Sequence, residues 1–295
     1  MGVPQRIQAL AGRHSRVDGI PFQLPVQCVP SPVLMAVFPI NPARAKALMP
    51  AEVHPLRIGS KGLLVITVIN YLGTNIGTYI EYSIGIACTH GLGPAPPWLP
   101  LLLMGRYGTG QYVLDLPVST QISVKGGKGI WGMPKHQGHL DFKTGDQRVS
   151  SQYDLDGQLV TYIEIERPAS TPLPLGMSAL NYCAFRGMLM KSSVYIQGKA
   201  GLRLFGAAKA RLVLGDHPLA APLKSLEIGA KPLATAYIPQ AIGTLDDHVE
   251  SWYLHSPDAV QTTPEGMESV INLPLDETWP TAPVAPVLGA TFGNL

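Results

Sequence analysis

Charge is scarce in this chain of 295 residues: Asp, Glu, Lys and Arg make up 14% of it, where about a quarter is usual. Net charge is +2, and the basic residues are scattered. The absence of a basic stripe or block excludes a nucleic-acid footprint. Cysteine is nearly missing. Cys28, Cys88 and Cys183 stand far apart with no CxxC spacing, which excludes a disulfide framework and a cysteine zinc site and fits a reducing compartment. Long apolar runs are also missing. Val33–Ile40 and Trp98–Met104 are the longest, far too short to cross a bilayer. Arg6, Arg13 and Arg16 are followed by no continuous apolar stretch, so no signal peptide is expected. There is no Walker spacing, no dinucleotide fingerprint and no nucleophile elbow. These absences predict a soluble, cytoplasmic protein with no nucleic-acid or membrane partner.

What is present is apolar side chains, at 46% of the chain, together with 31 Gly and 28 Pro spread throughout. That combination predicts many short elements joined by turns around a large core, with further apolar surface buried between subunits. Val33–Ile40 reads as a buried strand. Asn41 then caps a short helix with Pro42 in its first turn, running over Ala43–Met49 until Pro50 ends it. Gly62–Tyr71 is β-branched and reads as a strand. Thr78–Ala87 is a second, with Tyr79, Glu81 and Ser83 alternating against Ile80, Tyr82 and Ile84. His90–Gly110 is a Pro- and Gly-rich insertion, after which Tyr112–Leu116 resumes extended structure.

The run Gly126–Gly129 reads as a tight turn between strands. Leu140–Phe142, Arg148–Tyr153 and Leu159–Glu166 form a meander, with turns at Lys143–Asp146 and Asp156-Gly157. Leu180–Met190 reads as a short helix or a strand, and Gly201–Leu214 and Leu226–Tyr237 as late strands. No repeat and no long linker divides the chain. The expectation is a mainly β (α+β) protein. It has an N-terminal arm over 1–30, helical near Gln5–Arg13, and one large antiparallel β domain over 31–273 with the 90–110 insertion and a few peripheral helices. A Pro-rich tail covers 274–295, and another Pro-rich stretch is Pro168–Pro174.

The residue with most to say is Lys135, which follows Ile130-Trp131-Gly132-Met133-Pro134. An unperturbed lysine has a pKa of about 10.4, so only about one in 2,500 is neutral at pH 7. The neutral amine attacks carbonyl carbon; the ammonium does not. Withdrawing water from the group favours the neutral form. Bringing it to about 7 needs roughly 4.6 kcal/mol of differential solvation, which a dry apolar pocket could supply. A surface lysine after a turn proline has the same spacing. Glu81 is an acid/base candidate, although alternation also allows it to face solvent.

His136, His139 and Asp141 lack a convincingly placed further ligand, so no metal site is expected. His136 is instead a proton-shuttle candidate. Lys128 and Arg106 are candidates for orienting a substrate carboxylate, with surface positions as their alternatives. Trp131, Met133 and Tyr112 are expected in the core or the pocket wall.

The segment Gly127-Lys128-Gly129-Ile130-Trp131-Gly132-Met133-Pro134-Lys135 resembles the acetoacetate decarboxylase superfamily, whose run is Gly-Arg-Glu, an aromatic, then Pro-Lys-Lys. Tyr79-Ile80-Glu81 resembles its Tyr-x-Glu. Asn41-Pro42 through Leu48-Met49-Pro50 is similar to its early helix, and Leu212–Leu223 with Leu226-Glu227-Ile228 to its late strand and turn. The resemblance spans roughly residues 30–255. It implies an antiparallel β-barrel-like fold, a homo-oligomer, a small keto acid or other carbonyl substrate and no cofactor. It also implies that Lys135 is the Schiff-base lysine, Glu81 the pocket carboxylate and Lys128 the counterpart of the loop arginine. Three departures stand out. The family's second lysine is His136 here. The arginine expected before the first barrel strand falls near Ser31. The further acid expected on the preceding strand is missing from Leu63–Asn70. Decarboxylation of a β-keto acid is the implied reaction. Aldol, retro-aldol or dehydration chemistry through the same iminium is the alternative, and a non-catalytic binder of an apolar carbonyl compound is a third reading.

Overall fold

A computed structural model describes residues 13–169 and 175–254. The expected helix near Gln5–Arg13, most of the Pro168–Pro174 stretch and the tail from 274 lie outside the described residues. The structure is mainly β. Its largest sheet has eleven strands. From Tyr79–His90 the pairing runs through Gly62–Tyr71, Ser31–Ile40, Ala234–Tyr253, Met188–Gly198, Leu175–Phe185 and Gly110–Val118. Gly110–Val118 then pairs back onto Tyr79–His90, so the circuit closes like a barrel. Within this circuit every pair is antiparallel except Leu175–Phe185 with Gly110–Val118. A smaller sheet, ordered His139–Leu140, Arg148–Leu155, Gln158–Glu166, Ala210–Leu214, packs on the outside.

The main core lies between the two sheets. Leu34, Ala36, Phe38, Leu64, Ile66, Val68, Tyr82, Ile84 and Ile86 meet Val149, Tyr153, Val160, Ile163 and Ile165. Each such aliphatic side chain contributes about 1.5–3 kcal/mol by leaving water. Alternation then dictates what the other face carries. Because Tyr82, Ile84 and Ile86 face the core, Tyr79, Glu81 and Ser83 turn inward. The strand most tightly fixed by its apolar face thus delivers Glu81 to the barrel interior.

Several expectations need correction. The Gly126–Gly129 stretch is not a turn between strands but the middle of an α-helix, Gln121–Trp131. Each helical glycine costs about 1 kcal/mol relative to alanine, which is why the sequence argues against a helix. Packing overrides this: an added Cβ at Gly126 would lie 2.7 Å from the Phe22 ring, and at Gly129 2.5 Å from Val17. Gly132 closes the helix in the left-handed conformation (φ 65°), its N–H donating to Gly127 and Lys128 carbonyls.

Leu180–Met190 is neither a lone strand nor a helix. It spans the turn of a hairpin, Leu175–Phe185 with Met188–Gly198, and Arg186 and Gly187 take positive φ there. Gly201–Leu214 is two strands separated by a 3₁₀ turn over Phe205–Ala207. The late strand starts at Ala234, because Leu226 ends the short helix Ala221–Ser225 instead. The early helix covers Pro42–Lys46 only, with Leu48 and Met49 in the turn that follows. Asn41 caps it as expected, its side chain accepting from Ala43 N at 3.0 Å, a bond worth about 1 kcal/mol. The described part of the arm is a β-hairpin, Arg13–Val17 with Ile20–Leu24.

Candidate active site

Lys135 opens a short strand, Lys135–Gln137, that runs parallel to Gly110–Val118 with Lys135 opposite Leu116. This places its side chain on the inner face, where it is 3% exposed. Its Nζ donates to Glu81 Oε2 at 2.7 Å and to Ser123 Oγ at 3.0 Å. Helix Gln121–Trp131 presses on the lysine stem. An added Cβ at Gly127 would sit 2.3 Å from Lys135 Cδ, so glycine there is a condition of the lysine's position. Ser123 and Gly127 are four residues apart on one helical face, and both touch Lys135.

Two tyrosines complete the cluster. Tyr79 lies under the amine, with Nζ 5.5 Å from its ring centroid, and stacks on Tyr71 at 4.6 Å. The Tyr79 hydroxyl interacts with Ser123 and Tyr71, and Tyr71 with Glu81. Burial pushes both phenols well above their usual value and the Glu81 charge adds to it, so both remain protonated. Cys28 is also close. Gly243 N donates to its Sγ at 2.9 Å; burial raises its thiol pKa and Glu81 reinforces this. Lys135, Glu81, Ser123, Tyr71 and Tyr79 form one buried, connected polar network, with an amine, a carboxylate and three hydroxyls.

The other expected site residues fall in different places. Trp131 and Met133 are buried together with Leu116, the strand partner of Lys135; the Trp131 indole N–H donates to the Asp246 carbonyl at 2.9 Å. Both are core residues beside the lysine segment. His136 does not join Lys135. As the next residue on the strand it points to the opposite face, where its Nε2 is 2.7 Å from Asp115 Oδ1 and 3.3 Å from the Tyr153 hydroxyl. Burial lowers its pKa, but the hydrogen bond and charge of Asp115 outweigh that, and the net shift is upward. Lys128 is half-buried and acts electrostatically on His136. Tyr112 packs with Val53, Cys88, Tyr182 and Leu189 at the other end of its strand. Arg106 is exposed in the insertion, whose Trp98 and Leu101–Met104 are exposed as well.

Reading the sequence missed Ser123, because the glycines hid its helix. Their spacing with Trp131 was the available signal: Ser123, Gly126, Gly127 and Trp131 are the buried residues of that helix. Tyr71 was missed because only strand register brings it opposite Tyr79. At Ser31, where the family resemblance led us to expect an arginine, the side chain is fully buried. It donates to Val29 O and accepts from Leu72 N. Among the described residues no arginine bonds to Lys135 or Glu81. Among the described residues no group of three or more His, Cys, Asp or Glu is placed to hold a metal, and no helix is long and apolar enough to cross a membrane.

Residues 13–174 match the acetoacetate decarboxylase family, and the chain belongs to it. The fold is shared with an acetoacetate decarboxylase from Legionella pneumophila, at TM-score 0.57 and 12% identity, covering 78% of this chain and 88% of that one. A second acetoacetate decarboxylase structure gives TM-score 0.58 at 13% identity, over 78% and 90% of the two chains. The enduracididine biosynthesis enzyme MppR, complexed with pyruvate, gives 0.56 at 13% identity over 77% and 90%. No curated protein matches the sequence. Membership makes the chain an enzyme of the lyase type, in a family whose substrates are small carbonyl compounds.

Proposed function

We propose that Lys135 is the covalent catalyst of a carbon–carbon lyase and Glu81 its proton partner. The observation that supports this best is the buried Nζ held 2.7 Å from Glu81 Oε2 and 3.0 Å from Ser123 Oγ. Glu81 takes the proton from the ammonium. The neutral amine adds to the substrate carbonyl, and loss of water leaves an iminium. That cation accepts the electron pair of the bond cleaved beside it, giving an enamine and, from a β-keto acid, carbon dioxide. Glu81 gives its first proton to the departing hydroxyl as water is lost, is reprotonated from solvent and then protonates the enamine carbon, and water hydrolyses the new iminium to release product and ammonium. Ser123 and Tyr79 keep the amine oriented, and Tyr71 holds the carboxylate. General acid–base help of this kind is worth about 10²–10⁴ in rate. A soluble, cytoplasmic homo-oligomer acting on a keto acid of the acetoacetate type completes the reading.

Ser31 favours a second reaction on the same iminium. A buried serine bonded to backbone offers no cation to a carboxylate, and aldol or retro-aldol chemistry needs none. MppR, which shares the fold, has been captured with the condensation product of pyruvate and imidazole 4-carboxaldehyde. The experiment is to incubate the protein with a panel of keto acids and aldehydes, reduce with borohydride and weigh it. A substrate-sized mass gain that disappears in Lys135→Ala is expected. A protein that gains no mass with any member, yet binds ligands equally well after the substitution, would be a binder and not a lyase. Release of carbon dioxide then separates decarboxylation from aldol chemistry.

A further inference from the structure

The inner face carries a second polar group that the chemistry of Lys135 does not use. Ser83 follows Glu81 by two residues, so both face inward. Gln111 stands on the next strand, opposite Ala87, and Asn181 stands opposite Gln111 on the strand after that. Three consecutive strands therefore each present one neutral polar side chain, further along the barrel interior than Glu81. Gln111 Nε2 donates to Asn181 Oδ1 at 2.7 Å and approaches Ser83 Oγ at 3.4 Å.

This leaves capacity over. Each carboxamide has one acceptor oxygen and one NH₂ donor. With the bonds above made, Gln111 Oε1 and Asn181 Nδ2 have no partner among the described residues. Exchanging O and N in both amides gives the same result: one donor and one acceptor remain side by side. A polar atom withdrawn from bulk water is destabilising unless a ligand or an ordered water meets it. Ser83 and Asn181 are 8% exposed and Gln111 is partly exposed, so the cluster is not wholly covered by protein. Gly85 makes room for the Gln111 carboxamide. A Cβ there would meet Gln111 Oε1 at 3.0 Å and Tyr112 O at 3.1 Å. No charged side chain bonds to any of the three. Thr67 and Val65, opposite Ser83 and Gly85, add a neutral wall.

We infer that Ser83, Gln111 and Asn181 form a subsite for a neutral donor–acceptor group, such as a carboxamide, at the far end of the carbonyl substrate. This rests on the reading of Lys135 as the Schiff-base former. It makes the substrate longer than acetoacetate and uncharged at its distal end. A carboxylate there would find a hydrogen-bond donor but no cation, and a hydrocarbon would leave the remaining donor and acceptor unpaired. A site built to hydrogen-bond rejects analogues that cannot by far more than an apolar pocket does.

The test uses three methyl ketones of matched length, ending in a carboxamide, an isopropyl group or a carboxylate. Borohydride trapping is measured against ketone concentration. The wild type is expected to reach half-maximal trapping at least about tenfold lower in the carboxamide than in either analogue. Asn181→Leu and Gln111→Leu each bring the ratio of carboxamide to isopropyl ketone towards one, with thermal melts confirming folding. Ser83→Ala, a smaller change, lowers the ratio partly and serves if the leucine variants fail to fold. Equal trapping of the three ketones by the wild type overturns the subsite, as does a preference that survives these substitutions. If none of the ketones is trapped, the Schiff-base reading fails instead. Calorimetric binding of the carboxamide ketone to wild type and variants then tests the subsite by itself, and equal binding overturns it.

Discussion

Two polar clusters stand back to back on one sheet. On the inner face Lys135 is paired with Glu81; on the outer face His136 is paired with Asp115. The two cations are consecutive in sequence, and both pairs close at 2.7 Å. Their surroundings differ. The Lys135 side chain is 4% exposed and lies against a glycine-bearing helix, two tyrosines and a serine. The His136 side chain is 29% exposed and packs near Tyr153 at the margin of the core between the sheets. Adjacency on a strand is separation by a sheet's thickness. A residue standing where the family has a second lysine has therefore been turned to another task, tying the lysine strand to Gly110–Val118 through Asp115.

The comparison breaks first at the carboxylates. Glu81→Gln is expected to lower turnover at least about tenfold, within the range of lost acid–base catalysis, with the circular dichroism of the folded protein retained. Asp115→Asn is expected to leave turnover far closer to wild type. Equal losses in both variants would remove the distinction between the two clusters.

A smaller change sharpens the account of the inner cluster. Gly127→Ala favours the helix by about 1 kcal/mol, yet its Cβ would displace the stem of Lys135. Turnover is expected to fall by about 10²-fold, the penalty for a misplacement near 1 Å. Steady-state kinetics and borohydride trapping would both register it. Unchanged kinetics would show that the helix does not position the amine.

The smallest effect concerns pH. The folded-state pKa of His136 is raised by Asp115 in spite of burial. Its contribution to stability is therefore complete below the unfolded value of about 6.5 and is lost as pH rises through the folded value. Wild type should lose stability relative to Asp115→Asn across that window, as read by chemical denaturation at each pH. A difference that is flat or grows with pH would put the proton elsewhere.

Strand identity and two members of the inner cluster, Lys135 and Glu81, were legible where local pattern and packing agreed. Gly62–Tyr71 coincides with its expected strand, Tyr79–His90 overlaps its own, and alternation on the latter correctly separated Glu81 from Tyr82. The cap at Asn41 was legible for the same reason. The helix bearing Ser123 was not, because its glycines are there for contacts with Phe22, Lys135 and Val17, residues far away in sequence. Arg186 and Gly187 turn a hairpin that a continuous apolar pattern conceals.

The sequence by itself determined a β-rich, weakly charged chain, the inward set of side chains on each strand, and a lysine and a glutamate of the right kinds. Only the tertiary structure decided that the amine of Lys135 meets Glu81 and Ser123 while His136 turns away, and that Gln111 and Asn181 share the interior with them. The reason is physical. Side-chain type and alternation are local properties of the chain, whereas register and sheet closure place residues from distant segments within hydrogen-bonding distance.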